Sequence, residues 1–306
     1  MMSVAPARER CNYRLVNRGH FGDTIRMPQS HSSAGLLTAL AASLISAALP
    51  ATSTLSAAEP PAKPVLLYSR CYNAEGETRY LPDGTFKDVL TRLREHFTVR
   101  VHSQPITPDV LADVDLLLIA NPSDQAVAGH PRPHHISPGD VTTLTRYVER
   151  GGGLILMGNQ ENHNLEVEDV NRLLSHFGLQ FTNLYTDAKQ LVLPKSTPIV
   201  GGLRWAYYTG NLVRVLPQHP AHPRALIPND LAQKPLKGSR DEDGILLGVA
   251  EPGRGHVAVV TDSGWVTDDA LSGKGIGGVA IQEQDNWEIF LRLARWTAGS
   301  HAAKGH

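Results

Sequence analysis

Short apolar runs alternate with amphipathic segments from residue 65 onward. Four of these runs have the length and composition of β-strands, namely residues 65–68 (VLLY), 98–102 (TVRVH), 115–120 (DLLLIA) and 154–157 (LILM). The third run is apolar after its first residue, which is typical of a parallel strand covered on both faces. The pattern therefore predicts a parallel sheet built from strands in alternation with helices.

The segments between the strands have helical periodicity. Residues 86–97 and 167–177 each place apolar side chains on one face, and Gly178 closes the second of these helices. The motif Ser137-Pro138-Gly139-Asp140 predicts a capped helix start, with the helix running to Arg150. A last helix is predicted over residues 286–297, followed by a frayed tail over 300–306.

Residues 182–240 differ in composition, being rich in Pro, Asn, Gly and His. We interpret them as an insertion of irregular or antiparallel structure. Residues 245–249 and 255–261 then predict a hairpin with its turn at 251–254. The predicted fold class is α/β, a doubly wound, mostly parallel sheet of the flavodoxin-like kind, in a single domain over residues 59–299.

The first 58 residues are set apart from this domain. Five arginines precede an uncharged apolar run, residues 34–49, and small residues lead to Ser56-Ala57-Ala58. These are the three parts of a secretory signal, with cleavage expected near Ala58 and a secreted or periplasmic product. The alternative is a membrane anchor, but the run is shorter than the ~20 residues that span a bilayer. The leader before Met27 is long, which suggests a start codon downstream of Met1.

Charge and cysteine content exclude several classes of function. The chain of 306 residues has 29 Lys+Arg against 30 Asp+Glu, so it lacks the basic excess of a nucleic-acid binder. Cys11 and Cys71 cannot form a disulfide framework or a cysteine-rich zinc site. We expect no cofactor, no metal and no stable membrane span after signal cleavage, and the oligomeric state stays open.

The carboxyl ends of parallel strands form the ligand crevice of doubly wound sheets, so they define the candidate site. Polar side chains follow each predicted strand, and the last helix starts beside the final one. The expected ligand-binding residues are Arg70, Tyr72, Asn121, Asn159, Asn162, Ser263, Asn286 and Trp287. The candidate acid/base residues are Glu161, His163 and Asp262, of which Glu161 and His163 would share a side if the strand continued.

Several stretches carry a family resemblance. The segments DLLLIANPSD (115–124), SPGDVTTLTRYVERGGGLILMGNQENHN (137–164) and GHVAVVTDSGWVTDD (255–269), with the ending DNWEIFLRLARW, resemble the class I glutamine-amidotransferase-like superfamily. The nearest resemblance is to uncharacterised exported bacterial members and to the domain of intraflagellar-transport and gliding-motility proteins. It covers residues 64–299 and implies the fold and frequent use as an interaction domain.

The resemblance also implies a nucleophilic cysteine at a tight elbow after the fourth strand. Gly158-Asn159-Gln160 stands there instead, and an amide is no nucleophile. Cys71 follows the first strand, where the family has no such role, and is expected to be a core or rim residue.

Other motifs give weaker signals. The glycine-rich residues 273–278 lack the flanking strand and helix of a phosphate loop. The histidines of residues 130–135, and His219 with His222, lie in proline-rich loops without the regular structure that holds a metal site. Ser263 lies outside a G-x-S-x-G elbow, which argues against a hydrolase triad.

Two hypotheses remain. The first is a non-catalytic module that binds a small polar ligand, such as a carbohydrate or an amide, or a protein partner. The second is a sugar or amide hydrolase that uses Glu161, His163 and Asp262 as acid/base groups. The second requires these three groups to converge on one site.

Overall fold

The computed structural model describes residues 62–186, 189–207, 210–229, 244–273 and 284–302. The strands in these ranges are β1 (Val65–Ser69), β2 (Thr98–His102), β3 (Leu116–Ala120), β4 (Gly153–Met157), β5 (Leu179–Thr186), β6 (Lys189–Val192), β7 (Arg204–Tyr207), β8 (Gly210–Val215), β9 (Arg224–Pro228), β10 (Ile245–Ala250) and β11 (His256–Val260). The helices are α1 (Lys87–Leu93), α2 (Pro138–Glu149), α3 (Glu168–Leu174), α4 (Asp268–Leu271) and α5 (Asn286–Ala302). The predicted signal sequence and its cleavage site lie outside the described residues.

Five parallel strands form one side of a nine-stranded sheet, in the order β2-β1-β3-β4-β11. Their central residues pair in register, as in Leu118 with Ile155 and Leu156 with Val259. β3 and β4 are buried along their whole length, because helices cover both faces of the sheet. The four strands predicted from the sequence are all present.

Antiparallel strands extend the sheet beyond β11. β10 pairs with β11 in the predicted hairpin, and also pairs with β8 and β9, while β5 pairs with β8 at the far end. β6 and β7 form a separate two-stranded sheet. Much of the region interpreted as an irregular or antiparallel insertion therefore contributes strands to the main sheet, and the predicted α/β fold class is confirmed.

Two hydrophobic cores lie on opposite faces of the sheet. Side chains of α1 and α5 pack with one set of strand residues, which includes Leu118 and Ile155. Side chains of α2 and α3 pack with the other set, which includes Leu156 and Val259. Helices on both faces are the defining feature of a doubly wound sheet.

Local sequence signals explain where helices start and end. Ser137 and Asp140 form a capping box at the start of α2, with Pro138 in its first turn, as predicted. The helix predicted over residues 86–97 is shorter, because α1 ends at Leu93 and the chain then turns into β2. α3 ends in a 3₁₀ turn, after which Gly178 takes a left-handed φ of 70°. No described helix has the length and apolar character needed to cross a membrane.

Candidate ligand-binding site

The loops that follow β1 and β3 are tied together at the carboxyl edge of the sheet. The Asn73 side chain donates from Nδ2 to the carbonyl oxygens of Ala120 (2.9 Å) and Asn121 (3.1 Å). Ser123 Oγ accepts a hydrogen bond from the main-chain N–H of Ala74 at 2.9 Å. Since β2 lies on one side of β1 and β3 on the other, this is the point where the strand order reverses and doubly wound sheets bind ligands.

A buried hydrogen-bond network spans the ends of β3, β4 and β11. Asn159 donates from its main-chain N–H to Asn121 Oδ1 (2.9 Å), and from Nδ2 to Asp262 Oδ1 (3.1 Å) and the Tyr80 hydroxyl (3.0 Å). Its Oδ1 lies 3.0 Å from His163 Nδ1. Asn159 is thus the centre of the network and is 4% exposed.

The network fixes the tautomer of His163. Asp262 is an acceptor for Asn159 Nδ2, so the amide presents its oxygen to the imidazole, and that oxygen can only accept. His163 Nδ1 therefore carries the proton, and Nε2 keeps its lone pair. Burial lowers the pKa of His163, and the charge of Arg79 lowers it further, so the neutral ring is favoured.

Tyr80 and Asp262 form the closed inner side of this network. Asp262 is 0% exposed, and its Oδ1 also accepts from the main-chain N–H of Gly264. Burial raises the pKa of the Tyr80 hydroxyl, and the nearby Asp262 raises it further. The Tyr80 carbonyl accepts a hydrogen bond from the Tyr68 hydroxyl. These two side chains are thus held inside the protein.

Glu161 and Asn162 lie away from the interior. The chain forms a 3₁₀ turn over Glu161–His163, and both Glu161 and Asn162 are exposed. Asn164 ends the turn with a φ of 63°. The strand does not continue past Met157, so Glu161 and His163 are neighbours on a turn and not on one side of a strand.

Arg70 lines a cavity of about 480 Å³ at the ends of β1 and β2. Its guanidinium forms an ion pair with Asp83 at 3.0 Å, on the protein surface. The proline-rich loop contributes residues 131–134 to the lining of this cavity, and residues 132–134 also line a second one, of about 720 Å³, next to Asp124. Tyr72 is buried, at 1% exposure, and does not belong to the lining of either cavity.

Cys71 also lines the smaller cavity and is 4% exposed. Burial raises the pKa of its thiol to about 11, and the nearby Asp140 contributes to the rise. The thiol is therefore protonated at neutral pH, as suits a core or rim residue.

Three of the expected ligand-binding residues are buried or make contacts within the protein, namely Ser263, Asn286 and Trp287. Ser263 is 0% exposed. Asn286 donates from Nδ2 to the carbonyls of Ala206 and Trp265 and accepts from the Ala206 N–H, so it ties α5 to β7. Trp287 packs against Phe290 and lies under the Arg92 guanidinium at 5.6 Å. We assign Asn286 and Trp287 to fold stabilisation, in contrast to the ligand-binding role predicted from sequence.

One group of potential metal ligands occurs among the described residues, formed by His135, Glu166 and Asp169. Glu166 accepts hydrogen bonds from the N–H groups of Asp169 and Val170, at the start of α3. Asp169 pairs with Arg172 at 2.6 Å and contacts His135 at 3.2 Å. Because helix capping and ion pairing already engage these carboxylates, we interpret the group as structural.

Sequence reasoning missed Asn73 and Tyr80. Both lie in the long irregular loop between β1 and α1, where periodicity gives no information. Tyr80 has a φ of 61°, a backbone conformation that bulky residues rarely adopt and that no pattern in the sequence predicts. Asn73 lies in the loop after β1, next to Tyr72, so the strand-end rule could have included it.

No known protein family matches the chain, and no curated protein matches it. Among solved structures, the N-terminal domain of IFT52 (mmIFT52) is similar with a TM-score of 0.54 at 16% identity, over 76% of this chain and 97% of that domain. A ThuA-like protein from Bacteroides uniformis ATCC 8492 has a TM-score of 0.49 at 11% identity, over 79% and 93% of the two chains. The β-galactosidase from Rahnella sp. R3 has a TM-score of 0.43 at 12% identity, over 77% of this chain and 31% of the enzyme.

The similarity to the IFT52 domain shows a shared fold, in agreement with the resemblance of the sequence to the domain of intraflagellar-transport proteins. At this level of identity the similarity concerns the fold alone and transfers no activity.

Proposed function

We propose that this chain is an exported, non-catalytic domain of glutamine-amidotransferase-like fold that binds a small polar ligand of the carbohydrate or amide kind. A polar loop of a protein partner would use the same edge of the sheet. The observation that carries the proposal is Asn159. It occupies the strand end where the resemblance implies a nucleophile, and its side chain is held on both sides by Asp262 and His163.

The carboxyl edge of the parallel strands supports a binding role. It combines a cavity of about 480 Å³, within the range of small-molecule sites, with polar side chains fixed by hydrogen bonds. Fixed polar groups lower the entropy lost on binding and give orientation to a polar ligand. Neutral amides and hydroxyls are suited to hydroxyl and amide groups of a ligand.

Ligand-dependent thermal unfolding of the full chain tests this function. Neutral sugars, sugar acids and small amides are titrated, because a ligand at 100 times its Kd stabilises the native state by about 2.7 kcal/mol. We expect at least one of these classes to raise the Tm with saturation. A panel without any saturable rise would contradict the proposal.

The hydrolase alternative has one supporting observation, the neutral His163 with its lone pair on Nε2. However, Asp262 is fully buried and is linked to His163 through Asn159, while Glu161 is exposed on a turn. Nitrophenyl glycosides and anilides are assayed with the native protein and with His163→Gln. Turnover that disappears in the variant would establish the hydrolase, and no turnover by the native protein is the result we expect.

Export is supported by the sequence of the leader, with its arginines, apolar run and Ser56-Ala57-Ala58. The protein isolated from a Gram-negative host should begin near Glu59. N-terminal sequencing that still finds residues 34–49 would favour an anchor.

A further inference from the structure

The cavity at the ends of β1 and β2 has a distinctive set of polar groups. Three segments build it, one after each of the two strands and one from the loop before α2. Its lining residues are Arg70, Cys71, Asn73, Glu75, Ser103, Gln104, Pro131, Arg132, Pro133 and His134. The lining contains two arginines and one carboxylate, so its charge favours an anionic ligand group.

Asn73 supplies a hydrogen-bond acceptor that lacks a donor. Both described hydrogen bonds of its side chain leave from Nδ2, which fixes the direction of the amide. Asn73 is 9% exposed, and its Oδ1 is buried and has no partner among the described residues. An unsatisfied buried acceptor is costly, so a ligand that donates a hydrogen bond here would gain affinity.

Arg132 and part of the Arg70 guanidinium are available to a ligand. Arg70 pairs with the exposed Asp83 through Nη1, which leaves its Nε and Nη2 for a ligand. Arg132 has neither an ion pair nor a hydrogen bond with any residue that the structure describes, and it is exposed. Arginine recognises carboxylates through pairs of parallel hydrogen bonds.

We propose that the cavity binds a carbohydrate that carries a carboxylate, such as a uronic acid. Its carboxylate contacts Arg70 and Arg132, and one of its hydroxyls donates to Asn73 Oδ1. Ser103 and Gln104 are neutral partners for the remaining hydroxyls. This inference rests on the proposed function and specifies the ligand class at the same edge of the sheet.

Other anions fit this set of groups less well. Inorganic phosphate at neutral pH offers charge to the arginines but has no row of hydroxyls for Ser103, Gln104 and Asn73. A zwitterionic amino acid needs a carboxylate for its ammonium group, and Glu75 is exposed and lies 3.8 Å from His130. A hydroxylated carboxylate uses the arginines and the neutral groups together.

Calorimetric titration of the full chain compares D-glucuronate with D-glucuronamide, in which an amide replaces the carboxylate. We expect the affinity for glucuronate to be higher than that for glucuronamide by a factor of about ten or more, because the amide cannot form the charge-assisted contacts with the arginines. Arg132→Gln should weaken glucuronate by about the same factor and leave glucuronamide unchanged. Arg94→Gln, an exposed arginine at the end of α1, is the matched control and should leave both affinities unchanged.

Several results would overturn this ligand class. Equal affinities for glucuronate and glucuronamide, or an Arg132→Gln variant that binds glucuronate normally, would show that the carboxylate is not recognised. Inorganic phosphate or L-threonine binding more tightly than glucuronate would point to a different ligand. If glucuronamide binds and glucuronate does not, the proposed function stands and this inference fails; if no sugar or amide of the panel binds, both fail.

Discussion

Asn286 provides the sharpest test of how the structure reassigns a residue. Sequence reasoning placed it in the ligand crevice, whereas its side chain makes three hydrogen bonds to the main chain of β7 and of the turn after β11, at 2.9, 3.0 and 2.6 Å. It is 2% exposed. We expect Asn286→Ala to destabilise the protein and to leave ligand binding intact.

The size of the effect follows from the three lost hydrogen bonds. A buried hydrogen bond contributes about 0.5–1.5 kcal/mol net, and the main-chain groups of Ala206 and Trp265 would lose their partner. Asn286→Ala should therefore lower the free energy of unfolding by about 2–4 kcal/mol.

Urea unfolding followed by tryptophan fluorescence measures this free energy, since Trp205 and Trp265 are buried. Asn162→Ala is the control, because Asn162 is an exposed asparagine on the turn after β4, and it should change stability by less than about 0.5 kcal/mol. If Asn286→Ala lost as little as the control, the structural role would be refuted. If it lost the ligand response at unchanged stability, the crevice assignment would be correct.

Three further predictions concern the core, a histidine and a thiol. Leu156→Ala, at a fully buried position of β4, should cost about 2–5 kcal/mol in urea unfolding, and a loss below about 0.5 kcal/mol would contradict a central strand. The lowered pKa of His163 means that the native state binds this proton more weakly than the unfolded state, so stability falls as pH drops below about 6.5. Between about pH 7 and pH 5 the native protein should lose more stability than His163→Gln, and identical Tm profiles would refute this. Cys71, with its pKa near 11, should be alkylated by iodoacetamide about a hundredfold more slowly in the native than in the unfolded state. The rate is measured on the proteolytic peptide that contains Cys71, and equal rates would contradict its burial.

Local patterns were sufficient to predict the parallel half of the fold. β1, β3 and β4 are short apolar runs between helices, and the hairpin of β10 and β11 has a Pro-Gly turn that fixes its register. The antiparallel extension of the sheet was harder to predict from the sequence. The pairing of β5 with β8 joins strands that are separated along the chain by β6 and β7, and β8 then pairs with β10, so no local propensity encodes which strands meet.

Part of the candidate site could be listed from the sequence, and the reason is physical. The strand-end rule listed Asn121, Asn159, His163 and Asp262, and the structure joins these residues by hydrogen bonds because the topology brings the strand ends together. The rule cannot tell a side chain that faces a crevice from one that ties elements together, so it also listed Asn286. Whether any of these residues binds a ligand stays a prediction.

The edge strand β2 has a consequence for the behaviour of the protein in concentrated solution. β2 pairs with β1 on one side only within the described sheet, and Val101 is 44% exposed on it. An edge strand of this kind is a template on which other chains can add strands, which favours aggregation. Arg100, in the middle of β2, is paired with Asp113 at 2.8 Å, so charge lies at the centre of a strand of only five residues. Short length and a charged pair are both features that oppose the addition of a strand from another chain, so Arg100 and Asp113 protect this edge of the sheet.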